Sequence, residues 1–542
     1  MSQYANTQSL LKLAVRRDRI QLSVWLYGTA ALAYSAASSV GKTYKDEAAR
    51  TEAVKLLTDN PALLLTRGAP VGTGEGALAM VQAFTFLCVL AALMSTFAVV
   101  RHTRQNEESG RAELVGAAPV GRQAGLAAAL VLAVEANIGL FVFLAIVLPL
   151  AGLAVGSSLL AAAAVAATGL AFAGVAAVAA QLASTARGAN SLAGVAVGAA
   201  FLIRGIADAG GEVSSDGTVV ESSWLAWLSP IGWAQQSSPF GEDNWWVLVV
   251  PLAFFALAAG YALRLSAGRD LGAGVFQDKP GPASAAPGLL GAYGLARRLH
   301  RGAIVGWALG MAVLGAVIGG MGKSAGDALK DNADLTETLG RIGGGGGDPV
   351  GIFFASMMVM VGAIAAGFVV QALLRLRAEE TSGRLESLLA TATGRGRWVA
   401  SHVAVAVAGS LVLLLVAGLA AGLTYGAAVD DIGGGVADLV GAALAQAPAV
   451  LVIGGVVVLV FGILPGATSG VAWGALALCL VVGQLGGLLK LPQAVRDISP
   501  FSHLPALPAV DAEVLPLAAL TAVAAVLLWA GTALFGRRDL AS

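Results

Sequence analysis

Long apolar segments alternate with short polar ones along the chain of 542 residues. Most apolar segments are close to, or longer than, the ~20 residues with which a helix crosses a ~30 Å hydrocarbon core. Since only helices and closed barrels satisfy the backbone inside lipid, runs of this length predict an all-α integral membrane protein. We expect twelve transmembrane helices, at 20–40, 78–100, 124–149, 155–182, 190–207, 245–265, 302–321, 351–374, 399–425, 438–463, 467–488 and 513–535.

The composition agrees with this pattern, because 57% of the residues are hydrophobic and only 12% are charged. A water-soluble chain of this composition would have an insoluble surface. The 33 basic and 33 acidic residues cancel, so no global field attracts nucleic acid. Cys88 and Cys479 lie far apart inside apolar runs, where we expect buried thiols and no disulfide.

The distribution of Lys and Arg predicts the orientation in the membrane. With the N-terminus inside, the inner loops and ends contain 22 of the 33 basic residues and the outer loops contain 11. We therefore expect cytoplasmic N- and C-termini. Residues 6–19 can form an amphipathic helix, which we expect along the inner membrane surface. The first apolar run has no small-residue cleavage pattern, so we expect it to stay in the mature protein.

Two polar loops, at 101–122 and 375–397, carry related sequences. The S-G-R-x-E pattern of the first loop recurs in the second, displaced by 273 residues. We expect a short helix in each loop, in which an acid pairs with an arginine about one turn away. The expected pairs are Glu108 with Arg111 and Glu380 with Arg384. Such pairs contribute only ~0.2 to 0.5 kcal/mol each. The pattern therefore indicates either a loop that docks on another protein or a solvated turn inherited from a duplication.

Other short matches keep the same order in both halves of the chain. LAVRRDRIQLSVW at 13–25 resembles LARRLHRGAIVGW at 295–307, and RDL at 269–271 returns at 538–540. Because the matched segments keep their side of the membrane, we predict two parallel six-helix repeats. The predicted parts are a cytoplasmic elbow helix at 1–19, a first transmembrane half at 20–265, a linker with a second elbow-like segment at 266–301, and a second transmembrane half at 302–542.

Motifs for nucleotide, metal or catalytic chemistry are not evident. GKT at 41–43 and GKS at 322–324 resemble the end of a phosphate-binding loop. The glycine that the loop needs five positions earlier is replaced by alanine or valine, and both triplets fall on the predicted outer face. The four histidines are scattered without the spacing of metal ligands. We therefore expect no catalytic residue, cofactor or metal in this chain.

Several features occur together in a definite order: a basic N-terminal segment, paired EESGR and EETSGR loops, RDLGAG before a proline-rich linker, and twelve spans. In this combination the chain resembles actinobacterial ABC permeases described as exporters of polyketide antibiotics. The resemblance covers nearly the whole chain. It implies a fused permease that works with a separately encoded ATPase in two copies, which would carry the ATP and magnesium.

By this resemblance the N-terminal segment is an elbow helix, and the two polar loops contain coupling helices seated on the ATPase subunits. ATP would close the ATPase dimer, move the loops and shift the bundles from inward-open to outward-open in the bacterial cell membrane. The implied coupling residues are Glu107, Glu108, Gly110, Arg111, Glu113, Glu379, Glu380, Gly383, Arg384 and Glu386. Spans rich in Ala, Gly, Val and Leu favour an amphipathic or hydrophobic cargo, whether drug-like or lipid-like.

Glu135 lies about eleven residues into the third predicted span, ~16 Å deep at 1.5 Å rise per residue. An ionised group at that depth costs at least ~2.5 kcal/mol, so it must face the bundle, be paired or be protonated. Glu135 is therefore either a structural, hydrogen-bonded residue or part of the transport path. The second half has Ala408 at the corresponding place, so any such role is asymmetric.

Two other classes of protein have some of these features. An ion-coupled secondary multidrug transporter also has two six-helix halves, but few intramembrane acids are available here for proton coupling. A membrane-embedded lipid-modifying enzyme needs a cluster of polar catalytic groups, which the sequence does not contain in recognisable form. An ATPase gene beside this one would distinguish the ABC permease from both.

Overall fold

The computed structural model of the chain describes residues 2–276, 282–330, 348–485 and 492–539. The chain divides into two compact units, Met1–Gly281 and Pro282–Ser542. In the described part of the chain both units are almost entirely helical, apart from a hairpin in the first in which β1 (Glu212–Val213) pairs with β2 (Val220–Glu221).

Long apolar helices joined by short ones make up the first unit. In chain order they are α1 (Thr7–Thr43), α2 (Glu47–Thr58), α3 (Pro61–Arg67), α4 (Glu75–His102), α5 (Arg104–Glu108), α6 (Arg111–Gly116), α7 (Ala124–Leu150), α8 (Val155–Leu182), α9 (Ala186–Ala209), α10 (Pro230–Gln236) and α11 (Val249–Gly268).

The second unit has the same alternation of long and short helices. In chain order they are α12 (Ala292–Lys330), α13 (Pro349–Thr381), α14 (Arg384–Leu389), α15 (Arg395–Ala428), α16 (Ile432–Leu444), α17 (Ala447–Ile463), α18 (Thr468–Leu485), α19 (Gln493–Arg496) and α20 (Val514–Arg537).

In the described residues, eleven helical segments are long and apolar enough to cross a membrane. They coincide with the predicted spans from the second to the twelfth, so the chain is an all-α, multi-pass membrane protein. The first predicted span, 20–40, is not among the eleven, because its serines, tyrosines and threonine lower its mean hydropathy. A twelfth crossing by α1 stays a prediction.

The predicted elbow at 1–19 differs from the structure. Instead of a separate helix followed by a span, α1 is one unbroken helix from Thr7 to Thr43. No proline or glycine occurs in α1 before Gly28, so nothing in the sequence ends the helix at the expected boundary. The elbow-like segment before the seventh span is likewise continuous with that span in α12. Whether the first turns of either helix follow the membrane surface stays a prediction.

Each unit is built around one or two central helices. We compare how much of the most apolar 18-residue stretch of each long helix is buried. In the first unit this share is 72% for the α4 segment and 78% for α8, but only 17% for α11. In the second unit the buried share is 78% in α13 and 17% in α20. The central helices therefore form the core of each unit, and the last helix of each unit lies at its edge.

The predicted outer helical segment, 44–66, forms α2 and α3. Asp46 and Asn60 cap these helices by accepting hydrogen bonds from the first free backbone amides, as expected of N-cap residues. Of the predicted counterpart, 326–340, only the first five residues are described, and they are the end of α12. The glycine run that follows it lies outside the described residues.

Two buried serines occupy matching places, each as the serine of a Ser-Pro turn. Ser229 Oγ donates to the Ala200 carbonyl at 2.7 Å, and Ser499 Oγ donates to the Cys479 carbonyl at 3.0 Å. Both serines are completely buried. Each one ties its turn to the preceding long helix, α9 in the first unit and α18 in the second.

Candidate functional site

Both polar loops turn at a glycine in the left-handed region. Gly110 and Gly383 each have φ +71° and ψ −2°. Glycine adopts this conformation without the steric cost that a side chain brings. In the first loop Gly110 separates α5 from α6, and in the second loop Gly383 separates the end of α13 from α14. The shared S-G-R pattern is therefore a turn between two helices.

Glu107 fixes the base of the first loop through two arginines. Arg104 Nη1 donates to Glu107 Oε2 at 2.8 Å, and Arg269 donates to both carboxylate oxygens at 2.5 and 2.9 Å. Arg104 is completely buried, and its Nε and Nη2 donate to the Ala180 carbonyl. These three residues, Arg104, Glu107 and Arg269, are termed the first clamp. It ties the loop to α8 and to the end of α11.

The second loop has the same arrangement around Glu380. Arg377 Nη1 donates to Glu380 Oε2 at 3.3 Å, and Arg538 Nη2 donates to Oε1. Arg538 Nη1 also donates to the Phe461 carbonyl at 2.8 Å, and its guanidinium lies over the rings of Phe461 and Phe535. Arg377, Glu380 and Arg538 are termed the second clamp. It ties the loop to α17 and to the end of α20.

One further arginine supports each clamp. Arg122 Nη2 donates to the Arg269 carbonyl at 2.7 Å, and Arg395 Nη1 donates to the Arg538 carbonyl at 2.6 Å. Arg122 and Arg395 are the closing arginines of the two related loop sequences. The backbone of each clamp arginine is therefore fixed by the far end of the same loop.

The first turns of α1 contact the base of the first loop. Arg17 Nη1 donates to Asn106 Oδ1 at 2.9 Å, and Asp18 lies 2.7 Å from His102 Nε2 and 3.2 Å from Arg101 Nε. Burial by itself raises the pKa of Asp18, but its hydrogen bond to His102 and the positive charges of His102 and Arg101 outweigh burial and lower it. Asp18 is thus held as a carboxylate that fastens α1 to α4.

In the second unit, different residues attach the start of α12 to the neighbouring helices. His300, which corresponds to Asp18, lies 3.1 Å from His402 Nδ1. On its other side His402 Nε2 lies 3.7 Å from Glu379 Oε2, and Glu379 also accepts a 3.0 Å hydrogen bond from Arg375 Nε. All three of His300, His402 and Glu379 are buried. The start of α12 is therefore fastened through imidazole rings rather than through a carboxylate.

The predicted pairs within each loop are wrong. Glu108 Oε2 instead accepts a hydrogen bond from the Ala186 backbone amide at 2.9 Å, Glu380 is held by the second clamp, and Arg384 Nε donates to Ser382 Oγ at 2.9 Å. The cause is the glycine turn, which ends the helix between each acid and its expected arginine. The two side chains consequently do not share one helix surface.

The coupling residues that the resemblance implies fall into two groups. Glu107, Glu379 and Glu380 point inward and are largely buried, with side-chain exposures of 12%, 6% and 3%. The charged residues that lie beyond or beside the glycine turns are exposed. This exposed edge consists of Glu108, Arg111 and Glu113 in the first loop and Arg384 and Glu386 in the second.

Glu135 is exposed on α7. It shares its stripe with the exposed Val131, Ile138 and Val142. Asn137, on a different face, is buried, and its Nδ2 donates to Ser95 Oγ at 2.8 Å. The buried, hydrogen-bonded polar residue of this helix is therefore Asn137, and Glu135 does not face the core of its own unit.

Sequence reasoning missed the clamp arginines. Arg104 and Arg377 stand three residues before their acids and share the displacement of 273 residues, and Arg269 and Arg538 belong to the recurring RDL. The signal was therefore present in the sequence. What the sequence did not show is that these separate repeats meet at one carboxylate.

The fold and the paired clamped loops define a polytopic helical membrane protein that carries two matched, exposed charged edges. In the described residues no group of three or more His, Cys, Asp or Glu side chains could hold a metal ion. The class of protein is thus an all-α, multi-pass membrane protein with two related loops.

Comparison with known proteins gives the family. A family described as "Multidrug efflux system permease Rv1217c, C-terminal domain" matches residues 8–264 and 289–536. The chain is 40% identical over 539 residues to the multidrug efflux system permease protein Rv1217c of Mycobacterium tuberculosis (strain ATCC 25618 / H37Rv), covering 99% of this chain and 96% of that protein. The chain belongs to this family of multidrug efflux system permeases. The narrower resemblance to exporters of polyketide antibiotics stays a prediction.

Proposed function

We propose that the chain is the transmembrane subunit of an ATP-driven ABC exporter in the bacterial cell membrane, with cytoplasmic N- and C-termini. In this proposal a separate ATPase, in two copies, binds the two loops and supplies ATP and magnesium. The subunit then moves amphipathic or hydrophobic compounds outward by alternating access. The name of the related mycobacterial protein, a multidrug efflux permease, supports the efflux part of the proposal.

The observation that carries the proposal is the division of each loop into an inward clamp and an exposed edge. A charged group held by two arginines in a largely buried site resists displacement, because separating such a pair leaves an uncompensated charge. Exposed pairs on a loop surface contribute little by comparison. A force applied at the exposed edge would therefore pass through the clamp to the helices behind it rather than deform the loop.

The clamps connect each loop to helices of different kinds. The first clamp reaches α8, which is central, and α11, which is peripheral. The second clamp reaches α17 and α20 in the same way. A partner that pulls on both edges would therefore act on a central helix and on a peripheral helix of each unit at once.

A groove in the second unit supports an apolar cargo. It encloses ≈ 490 Å³ and is lined by small and apolar residues of α12, including Gly306 and Gly310. Its polar feature is a 2.8 Å hydrogen bond from Trp307 Nε1 to Gln371 Oε1. Ligand sites with mainly apolar walls and a few polar groups suit amphipathic molecules of drug-like size.

The experiment that tests the proposal measures ATP hydrolysis by the purified chain in nanodiscs, alone and with its candidate ATPase. We expect no hydrolysis by the chain alone and stimulated hydrolysis by the complex. Arg111→Glu combined with Arg384→Glu reverses the charge of both exposed edges, so it should abolish assembly or stimulation. The matched control is Arg19→Glu with Arg301→Glu, two exposed arginines near the starts of α1 and α12 that lie outside the loops.

The control variant should assemble and stimulate like the wild type, and both variants should keep the wild-type melting temperature. If the control loses stimulation as well, general surface charge rather than the exposed edge governs the assembly. If no ATPase binds and a proton gradient alone drives efflux, the chain is an ion-coupled secondary transporter. Glu135 is then the first residue to replace. Turnover of a lipid substrate without either energy source would indicate the membrane-embedded enzyme.

A further inference from the structure

A cavity of ≈ 480 Å³ lies in the first unit beside the first clamp. It is enclosed by the first turns of α1, the polar loop, the start of α7 and the end of α11. Its walls are amphipathic. Leu10, Leu13 and Leu126 supply apolar surface, and Arg17, Arg111 and Arg122 supply positive charge.

The positive charges of the cavity are not balanced by the protein. Glu107, the acid that lines the cavity, is already held between the two arginines of the first clamp, and Asp18 pairs with Arg101 and His102. Among the described residues, Arg17, Arg111 and Arg122 have no acidic partner within ion-pair distance, and Arg17 and Arg122 donate to neutral oxygens instead. Burial, followed by the charges of Arg101 and Arg111, lowers the pKa of Arg17. The cavity is therefore lined by three exposed arginines that are available to a negatively charged ligand.

In the described part of the second unit, aromatic side chains pack where the first unit has this cavity. Trp398 is 2% exposed, and its ring centroid lies 5.4 to 5.6 Å from those of His402 and Phe535. In the first unit the matching positions are small or polar and line the cavity. The pairs are Gly125 with Trp398, Ala129 with His402, and Ser266 with Phe535.

The arginines that line the cavity of the first unit are also only partly matched in the second unit. The position of Arg17 is taken in the second unit by Leu299, whose carbonyl accepts a hydrogen bond from Arg375. Both the space and part of the positive charge are thus confined to the first unit. Packing of a long helix alone does not need this space, since the second unit packs α12 without it.

We propose that the cavity of the first unit binds one anionic phospholipid, with the phosphate on Arg17, Arg111 and Arg122 and the upper acyl chains on Leu10, Leu13 and Leu126. Basic pockets beside transmembrane helices are suited to anionic lipid headgroups. The apolar wall, including the exposed Leu13, distinguishes this site from one for a free anion. The site goes beyond the proposed function, since it needs neither ATP nor the ATPase. It shares Arg111 with the exposed edge of the first loop, whereas Arg17 and Arg122 line the cavity and do not belong to that edge.

The test is native mass spectrometry of the purified full chain, released from detergent in the presence of either phosphatidylglycerol or phosphatidylcholine. We expect one tightly retained phosphatidylglycerol per chain and no comparable retention of phosphatidylcholine. Arg17→Gln and Arg111→Gln should each weaken retention about fivefold, the contribution expected of one arginine near an anionic headgroup. Gly125→Trp, which copies the packing of the second unit, should abolish it.

Two control variants separate the site from general effects. Arg19→Gln removes an exposed arginine of α1 that does not line the cavity, and Gly302→Trp adds an indole to an exposed position of α12. Both should retain phosphatidylglycerol like the wild type. Melting temperatures measured for all variants identify any that are misfolded.

Four results would overturn the proposal. Equal retention of both lipids, or unchanged retention in Gly125→Trp, would mean that the cavity does not select an anionic lipid. Displacement of the lipid by excess inorganic phosphate would mean that it recognises a free anion. If Arg17→Gln leaves lipid retention unchanged but weakens assembly with the ATPase, the cavity receives an acidic protein segment instead.

Discussion

In the first unit the clamp stands beside an open amphipathic cavity, whereas in the second unit it stands beside packed aromatic rings. The clamp geometry is nevertheless the same, with one carboxylate between an arginine three residues earlier and an arginine after the last long helix. The comparison teaches that the loop's anchorage and the packing around it can vary independently. The anchorage serves both units, and the packing gives each unit its own properties.

The largest expected loss of stability comes from removing one of the packed aromatic side chains of the second unit. Trp398→Ala removes a buried indole from between His402, Phe461 and Phe535, and it should lower the free energy of unfolding by about 3–5 kcal/mol. Thermal unfolding in detergent measures this loss of stability. The matched change, Gly125→Trp in the first unit, enters an existing space and should alter stability much less. Equal losses in both variants would show that the two sites are packed alike.

The second prediction compares the two clamps directly. Arg104 is completely buried, whereas the side chain of Arg377 is 26% exposed. Arg104→Ala leaves the buried Ala180 carbonyl and part of the Glu107 charge without a donor, and it should cost about 3 kcal/mol. Arg377→Ala should cost about 1 kcal/mol, because solvent can replace the lost contact. Unfolding midpoints of the two variants in the same detergent would give the difference, and a larger loss for Arg377→Ala would contradict the comparison.

The third prediction concerns the attachment of α1 to α4 through Asp18. Asp18→Ala should destabilise the chain by about 2 kcal/mol at neutral pH, because it leaves His102 and Arg101 without their carboxylate. Since the pKa of Asp18 is lowered on folding, its contribution is fully present above about pH 3.9 and is lost as the pH falls through the lower folded value. The stability difference between wild type and variant should therefore narrow only in strong acid. A difference that already disappears near neutral pH would mean that another group controls the contact.

The smallest expected effects concern the two Ser-Pro turns. Ser499→Ala removes one hydrogen bond to a backbone carbonyl and should cost about 1 kcal/mol. Ser229→Ala also removes the hydrogen bond that its Oγ accepts from the Gly232 amide at the start of α10, so it should cost about 1.5 kcal/mol. Melting curves of the single and double variants should show additive losses, because the serines lie in separate units. A larger loss for Ser499→Ala than for Ser229→Ala would contradict the role of the Ser229 cap.

The sequence predicts the long helices well, because apolar length is a direct consequence of the membrane thickness. It predicts the place and relation of the two polar loops for the same reason. It could not predict the full set of partners of Glu107 and Glu380, since one arginine of each clamp is 162 or 158 residues away in the chain. The pairs expected from helical spacing were wrong because a left-handed glycine interrupts that spacing.

For Glu135, too, the sequence predicts only part of the structure. Its depth in the span could be read from the sequence, but the direction of its side chain could not. The structure assigns the buried hydrogen bond to Asn137, two residues further on. The cavity of the first unit was equally invisible, because its signal is the absence of three bulky side chains that occupy the matching positions of the other half.

The arginines around both clamps donate largely to backbone carbonyls, at Ala180, Ala273, Leu299, Phe461 and the clamp arginines themselves. A backbone acceptor is present whichever amino acid occupies its position. In a saturation mutagenesis library, the exposed or half-buried acceptor positions 273 and 299 should therefore tolerate most replacements, while the donors should tolerate very few. Such an asymmetry between donors and acceptors would allow the sequences of two halves to diverge widely without losing their anchorage.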